Sequence, residues 1–525
     1  MTAFSEDFRE ERSEEERIGK QLYAYQHAAI ESIFNRLQAK KEKYSILYQL
    51  PTGGGKTVIF SEIARKYIQS TGKKVLILTH RLELCAQTSA MLAEFGVNNK
   101  IINSEVKTLP QPNPFMCFVA MVETLNNRLN SAALSFEEVG LIIIDEAHYN
   151  SFRKLFKFFE TGITLGVTAT PLSSNIKLPM KDNYDELIVG ESISSLIQMG
   201  FLAKATTFSY QVGLTSLKIG INGDYTVSSS EKLYSNVLMQ QKLLMAYEER
   251  GLGKKTLIFN NGIQTSLQVY YTFKEAGYPV RHLDNTHSVK ERRDILDWFK
   301  ATPNAILTSV SILTTGFDEP TVECIILNRA TRSLTLYFQM IGRGSRVLKN
   351  KNQFIVIDLG NNLHRFGLWE NPLDWESIFR TPDLHLAAIS SDEEIEKDFK
   401  YVLPSVLQQK FAKSTSIDFD IKGAHRKAVA NGLRPKQALD DSIQHHLTMC
   451  LENSNDLEEA LDLADILNQQ IEYRVKQFAQ CLSKSSDSYV RFLTEDYRRR
   501  LRLYISGFKP AEAIDAVLST DEGGQ

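Results

Sequence analysis

Gly53-Gly54-Gly55-Lys56-Thr57 sets three positions without side chains directly before a cation and a hydroxyl. Glycines let a backbone curl until successive N–H groups converge on one anion, and a helix starting there adds the positive end of its dipole. Lys56 then suits the β- and γ-phosphates of a nucleotide, and the Thr57 hydroxyl suits its magnesium ion. Thr52 opens the same turn. The strict phosphate-loop spacing asks for a further glycine at position 50, where this chain has Leu50.

A second constellation lies downstream. The apolar run Leu141–Ile144 ends in Asp145-Glu146-Ala147-His148. Carboxylates at the carboxyl end of a buried parallel strand stand where open α/β sheets bind ligands. Asp145 is suited to hold Mg²⁺ through water, and Glu146 to orient and deprotonate an attacking water. Thr168-Ala169-Thr170-Pro171 follows the next apolar run, and its hydroxyls could couple this site to a neighbouring surface.

These residues need rigid elements beneath them, and the apolar pattern supplies two sets. Strands are expected at Ser45–Leu50, Lys74–Thr79, Cys117–Met121, Leu141–Asp145 and Thr164–Thr168, with a helix over Val58–Ser70 opening from the glycines. A second alternating stretch, from about Thr206 to Gly367, offers Lys255–Phe259, Val280–Leu283, Ala305–Ser309, Glu323–Leu327 and Gln353–Asp358. Short apolar strands between amphipathic helices indicate parallel sheets covered on both faces. The polar, glycine-containing stretch Thr215–Ser230 is expected to connect the two domains. After Pro372 the strand signal fades, and Leu384–Leu518 reads as helices, among them Asp456–Gln470 and Tyr473–Leu482.

Composition narrows the function class. The net charge of −2 provides no global pull towards DNA or RNA, so binding must come from local groups. The five cysteines lack any Cys-x-x-Cys spacing, which argues against a zinc site or a disulfide framework. The charged opening segment is no signal peptide, and no apolar run is long enough to span a membrane. A cytoplasmic protein without membrane contact is expected.

Seven motifs in order resemble the superfamily 2 helicases of DEAH-box type. They are Leu22-x-x-Tyr25-Gln26, the Gly-Lys-Thr loop, Thr79-His80-Arg81-x-x-Leu84-x-x-Gln87, Asp-Glu-Ala-His, Thr-Ala-Thr, the segment Ser311–Pro320, and Gln339–Arg346. The last two, with Arg329 and Ser333-Leu334-x-x-Tyr337 between them, look most like the RadD type of DNA-repair ATPases. The resemblance implies two tandem RecA-like (P-loop) α/β domains, at about 21–205 and 206–370, after an arm at 1–20. An α-helical C-terminal domain, 371–525, completes the expected chain.

The resemblance also implies ATP and Mg²⁺ as cofactors and a motor coupled to nucleic acid, DNA rather than RNA. Gln26 would read the adenine edge, and Gly316 and Asp318 would approach the nucleotide from the second domain. Arg343 and Arg346 would act as arginine fingers, with Gln339 counted in the same catalytic segment. On a helix, a Gly-Arg-Gly-x-Arg run puts both guanidinium groups on one face. Nucleic acid would cross both domains opposite the ATP cleft, held at His80, Arg81, Thr124, Thr314 and Thr315. Two departures stand out. Tyr23 and Ala24 replace the usual Arg and Pro before the Tyr-Gln pair, so base contact falls to stacking by Tyr23 or is supplied from elsewhere. No cysteine-rich zinc module follows the motor.

The tail leaves two readings open. Tyr497-Arg498-Arg499-Arg500-Leu501-Arg502 could grip a phosphate backbone, or could be a solvated face complementing its helix dipole. The helical domain could also dock a protein partner. The pattern of Pro382-Asp383 with Asp420-Ile421-Lys422 mimics a metal nuclease, but lacks the apolar strands such a site needs. The rival functions are an ATP-gated nucleic-acid clamp and the motor subunit of a restriction or defence assembly.

Overall fold

The computed structural model describes residues 21–39, 43–103, 105–106, 113–130, 138–158, 162–175, 177–310, 313, 317–397, 403–482 and 487–507. One compact unit extends to Ile395 and a second begins at Glu396.

The first unit contains two parallel sheets. The first lobe is built on β1 (Ser45–Gln49), β2 (Lys74–Thr79), β3 (Asn99–Ile102), β4 (Cys117–Met121), β5 (Val139–Asp145), β6 (Ile163–Thr168) and β7 (Glu186–Val189), in the order β3-β4-β2-β5-β6-β1-β7. The second lobe is built on β8 (Lys204–Ser209), β9 (Thr256–Asn260), β10 (Val280–Leu283), β11 (Ile306–Val310), β12 (Cys324–Asn328) and β13 (Gln353–Asp358), in the order β10-β11-β9-β12-β13-β8. All pairings are parallel, for example Gln49 with Thr168 and Asn328 with Asn260.

Alternation explains the layers. On β1, Ile46 and Tyr48 face the helices Ala24–Ala39 and Lys56–Thr71, burying Ile30, Ile33, Ile59, Phe60 and Ile63 with them. Leu47 points to the other face and joins a core containing Leu76, Ile142 and Ile144. That core runs on without a break into Leu257, Phe259, Ile325 and Phe338 of the second lobe. The two lobes therefore meet over apolar contact as well as over the polar groups described below. The segment after Pro372, grouped above with the tail, packs here through Trp375, Ile378 and Phe379.

The expected connection is corrected. Strand β8 already pairs with β13, so the chain passes between the sheets after Val189 and before Lys204. Thr215–Ser230 lies inside the second lobe instead. The sequence Lys-Ala-Thr-Thr-Phe-Ser of β8 hides its strand character because it is an edge strand, paired on one side and free to be polar on the other.

The second unit is helical. Its principal helices are Ile421–Ala430, Gln437–Glu452, Leu457–Ile466, Asn468–Gln480 and Asp487–Ser506, closed over Leu439, Ile443, Leu467, Ile471, Val475, Phe478 and Tyr497. The helix expected across Asp456–Gln470 is broken at Leu467, a fully buried corner from which the next helix starts. The basic run does not form a bare cationic face. Arg498 pairs with Glu472, Arg499 with Asp496, Arg500 with Asp440 and Arg502 with Asp465, while Tyr497 is buried. Asp420 caps a helix by accepting from Gly423 N at 2.9 Å.

Candidate functional site

The glycine turn carries the geometry its composition implies. Gly53 has φ +90° and Gly55 φ +85°, the left-handed region that side chains resist. Gly55 is the N-cap of Lys56–Thr71, so the free N–H groups of that helix open into the turn. A Cβ on Gly55 would lie 2.5 Å from Gln26 Nε2, and one on Gly53 only 2.7 Å from Leu202 Cδ2. Lys56 Nζ donates to Leu50 O at 3.2 Å, so the lysine bends back over the residue that replaces the expected glycine. Thr57 follows it, half-buried.

Strand β5 delivers the carboxylates. Asp145 is 5% exposed and Glu146 9% exposed. Burial, reinforced by the charge of Glu146, pushes the Asp145 carboxyl up to about 7. Burial would raise Glu146 as well, but Lys56, His148, His80 and Arg343 together hold it below the ordinary carboxylate value. Glu146 has φ +51°, one of two non-glycine residues with positive φ among the described residues. Strain of this kind is kept where a side chain must be aimed. His148 Nδ1 stands 3.4 Å from Glu146 Oε2 and 3.0 Å from Thr168 Oγ1, and burial lowers the proton affinity of its imidazole.

The second lobe closes on this site from the loop after β12. Gln339, on the helix Leu334–Ile341, reaches His148 Nε2 at 3.3 Å. Thr170 Oγ1 donates to Thr335 Oγ1 at 2.9 Å. A Cβ on Gly53 would fall 3.2 Å from Arg346 Nη1, and one on Gly342 2.8 Å from Thr52 Cβ. Arg343 donates to Phe317 O at 2.5 Å and feels the charge of Glu146, while burial pushes its guanidinium down to about 10. Arg346 donates to Asp318 Oδ1 at 2.8 Å.

Both guanidinium groups thus converge on the seam, but not from a helix as expected. The helix stops at Gly342, and Arg343 and Arg346 sit in the turn beyond it. Gly344 lets this turn pack closely, since a Cβ there would lie 2.3 Å from the Phe354 ring.

The other expected residues are distributed as follows. Gln26 is 3% exposed and accepts from Tyr23 N at 3.0 Å, behind the glycine turn. Tyr23 is exposed and lies against Phe201, ring centroids 4.3 Å apart, with Tyr25 at 5.1 Å from the same ring. Phe201 escaped the sequence reading because it belongs to the crossover between the sheets and has no motif spacing. His80 does not open onto the outer face. Its ring packs on Tyr149 at 4.2 Å, and burial, only partly countered by Glu146, pushes it down to about 4. Arg81 precedes the helix Leu82–Glu94, and Thr124 lies half-buried in the first turn of Val122–Asn130. Glu83 of the first lobe meets Arg292 of the second at 3.2 Å. Thr314, Thr315 and Gly316 lie outside the described residues.

Two polar atoms at the site lack partners. Thr52 Oγ1 and Glu146 Oε2 are buried with no hydrogen-bond partner, which an added ligand would relieve. Among the described residues no group of three or more His, Cys, Asp or Glu could cage a metal. The side-chain oxygens of Thr57 and Asp145 are the ones that could hold Mg²⁺ beside the glycine turn.

Comparison with known proteins follows the same division. The family "Type III restriction enzyme, res subunit" matches residues 19–173, and "Helicase conserved C-terminal domain" matches residues 236–347. The chain is 30% identical over 358 residues to "Putative ATP-dependent helicase IRC3" of Saccharomyces cerevisiae, covering 64% of this chain and 51% of that protein. It is also 30% identical over 337 residues to a "51.5 kDa protein" of a Lactococcus phage, covering 63% of this chain and 69% of that one. The solved structure of "ATP-dependent Type ISP restriction-modification enzyme LlaBIII bound to DNA" aligns over 96% of this chain and 42% of its own, with a TM-score of 0.51 and 15% identity, a likeness of fold. The chain spans about half the length of the yeast relative.

Proposed function

We propose, from the premise that this chain belongs to the superfamily 2 helicases, that it couples ATP hydrolysis to movement along DNA or to the separation of its strands. The observation that carries this reading is the meeting of Lys56, Asp145 and Glu146 with Arg343 and Arg346 across one seam. Bound magnesium ATP would supply the phosphoanhydride and a Lewis acid. The loop Thr52–Thr57 would cradle the phosphates through backbone N–H groups and Lys56, with Thr57 and Asp145 towards the metal. Glu146, held ionised by its cationic surroundings, is ready to accept a proton from water. Arg343 and Arg346 place positive charge where it builds on the transferred phosphoryl. Tyr23 and Phe201 offer an aromatic surface for the base, and Gln26 is held behind the loop.

Movement follows from the two-lobed build. The Gln339–His148 and Thr335–Thr170 contacts tie the second lobe to groups beside Glu146, so the state of the site biases the closure of the lobes. Nucleic acid would lie across Arg81 and Thr124 in one lobe and the 311–316 segment in the other. His80, turned inward, would link that track to Glu146 rather than hold phosphate. The Asp-Glu-Ala-His wording supports the DEAH type, and Ser311–Arg346 supports a RadD-like repair role. Turnover measured with single- and double-stranded DNA, forks and RNA tests the proposal. Equal ATP turnover with and without every nucleic acid would end it.

A second reading has one observation in its favour, the match to a restriction-enzyme subunit model. In that case the chain is the motor of a defence assembly, and its helical unit docks a nuclease subunit. Co-purification with such a subunit separates the two.

A further inference from the structure

Between β8 and β9 the chain forms a small hairpin, closed by the antiparallel bridge Ile219↔Tyr225. Gly220 N donates to Asp224 O and Thr226 N to Lys218 O, both at 2.8 Å, and Gly223 turns the tip at φ +81°. Its base is clamped. Tyr225 is 4% exposed, with its hydroxyl between Asp392 and Arg365 Nη2. Asp224 accepts from Thr331 Oγ1 at 2.7 Å and from Arg332 N at 2.8 Å, and stands 3.5 Å from the Arg329 guanidinium.

The tip is the reverse of this base. Ile219 is 55% exposed and Ile221 wholly exposed. Both apolar side chains are left in water on a clamped mount, Ile221 entirely and Ile219 in its larger part.

Its position points to the occupant. Asn261, directly after β9, donates to Ser230 Oγ at 2.7 Å beside the hairpin, and Thr331 and Arg332 follow β12. The hairpin therefore stands over the carboxyl ends of β9 and β12, the edge where open α/β sheets bind ligands. The charges agree. Lys218 and Lys232 are exposed, and the half-buried Arg332 guanidinium makes no ion pair among the described residues. The carboxylates nearby are engaged: Asp224 faces Arg329, Asp392 pairs with Arg365, and Glu231 accepts from Gln264 N. Exposed apolar side chains on a mount that also carries cations suit nucleic acid, with the apolar groups wedging against base faces and the cations holding phosphate.

We propose that the hairpin 217–226 is a pin against which the end of a DNA duplex comes to rest. Ile219 and Ile221 meet base faces, and Arg332 and Lys218 meet phosphates. This rests on the nucleic-acid motor reading above. The test places p-benzoylphenylalanine at position 221 of the full chain, bound to a forked DNA and irradiated. Crosslinking at the single-strand to double-strand junction is expected. The same group at Leu252, which is 58% exposed in the turn before β9 and so at the opposite edge, should give none. In parallel, the double variant Ile219→Ser with Ile221→Ser should keep its turnover stimulation by single-stranded DNA, yet lose about tenfold in preference for forks over single strands, as the loss of one stacked base implies. An unchanged fork preference, or crosslinking spread evenly along the DNA or found only on other proteins, overturns the pin. If the motor reading is what fails, the unaltered chain shows no nucleic-acid stimulation and binds no fork, and the pin falls with it.

Discussion

Changing Arg343 to alanine removes one guanidinium from the seam and nothing from the wall that holds the loop. In the resting site burial lowers the proton affinity of Lys56 most, and Arg343, a like-charged neighbour, lowers it further along with Arg346. Its loss relieves repulsion around the phosphate position, so nucleotide affinity should move by no more than about threefold, under 1 kcal/mol. The effect belongs to the step in which charge builds on the phosphoryl. Fingers of this kind contribute about 10³–10⁵ in rate, which is about 4–7 kcal/mol of barrier. The expected pattern is therefore a collapse of kcat at nearly constant KM for ATP. Arg343→Lys keeps the charge but not the planar fork, and should recover only about a tenth of the loss on a logarithmic scale. The assay is steady-state ATP turnover at saturating single-stranded DNA, paired with titration of a fluorescent nucleotide. An alanine variant retaining more than about a tenth of kcat, or losing activity through KM alone, refutes the placement of Arg343 at the phosphoryl.

Other outcomes follow from the same geometry. Glu146→Gln should lower turnover by about 10² or more while ATP still binds, and Lys56→Ala should remove nucleotide binding itself; full turnover in Glu146→Gln excludes its assignment as base. Gly53→Ala meets Leu202 at 2.7 Å and an unfavourable φ of +90°, so it should cost about 1–2 kcal/mol in a thermal melt and depress turnover together. In the helical unit His446 is buried between Tyr497 and Gln470, and burial keeps its proton affinity well below the ordinary value of 6.5. The unfolded chain takes up a proton there that the folded chain refuses. Stability is thus full above pH 6.5 and falls as the pH drops, by up to about 1.4 kcal/mol per pH unit. Hydrogen exchange in the helix Gln437–Glu452 across pH 5–7.5 measures this, and a slope identical in His446→Gln discounts the histidine as its source.

What could be read in advance was whatever leaves a local trace. Central strands such as β2 and β4 have ends fixed by apolar runs, and those ends agree with the expected ones. Of the edge strands, β10 was legible through Val280 and Leu283, whereas β3, β7 and β8 were not, because a strand paired on one side carries polar residues freely, as Lys204-Ala-Thr-Thr shows. That single omission misplaced the connection between the lobes. At the site, Gly53, Gly55 and Lys56 announce themselves by type and spacing. Gln339 and Thr335 do not, since their partners His148 and Thr170 are far off in sequence and meet them only when two sheets fold together. His80 shows the reverse failure. Its motif suggests an outer contact, whereas packing on Tyr149 turns the ring inward. The basic run at 498–502 misleads in a similar way, because the carboxylates that neutralise it come from three other helices as well as its own.

The Arg346–Asp318 pair has a bearing on how such a machine can turn over at all. Both side chains are partly open to water, so the pair itself contributes at most about 1 kcal/mol. When a phosphate takes the place of the carboxylate, the guanidinium exchanges one oxyanion for another and is never stripped bare between them. Engagement and release then become nearly thermoneutral swaps. A cycle built from swaps of that kind can run in both directions at its gate, and leaves the free energy of hydrolysis to be spent on direction rather than on prising a finger loose.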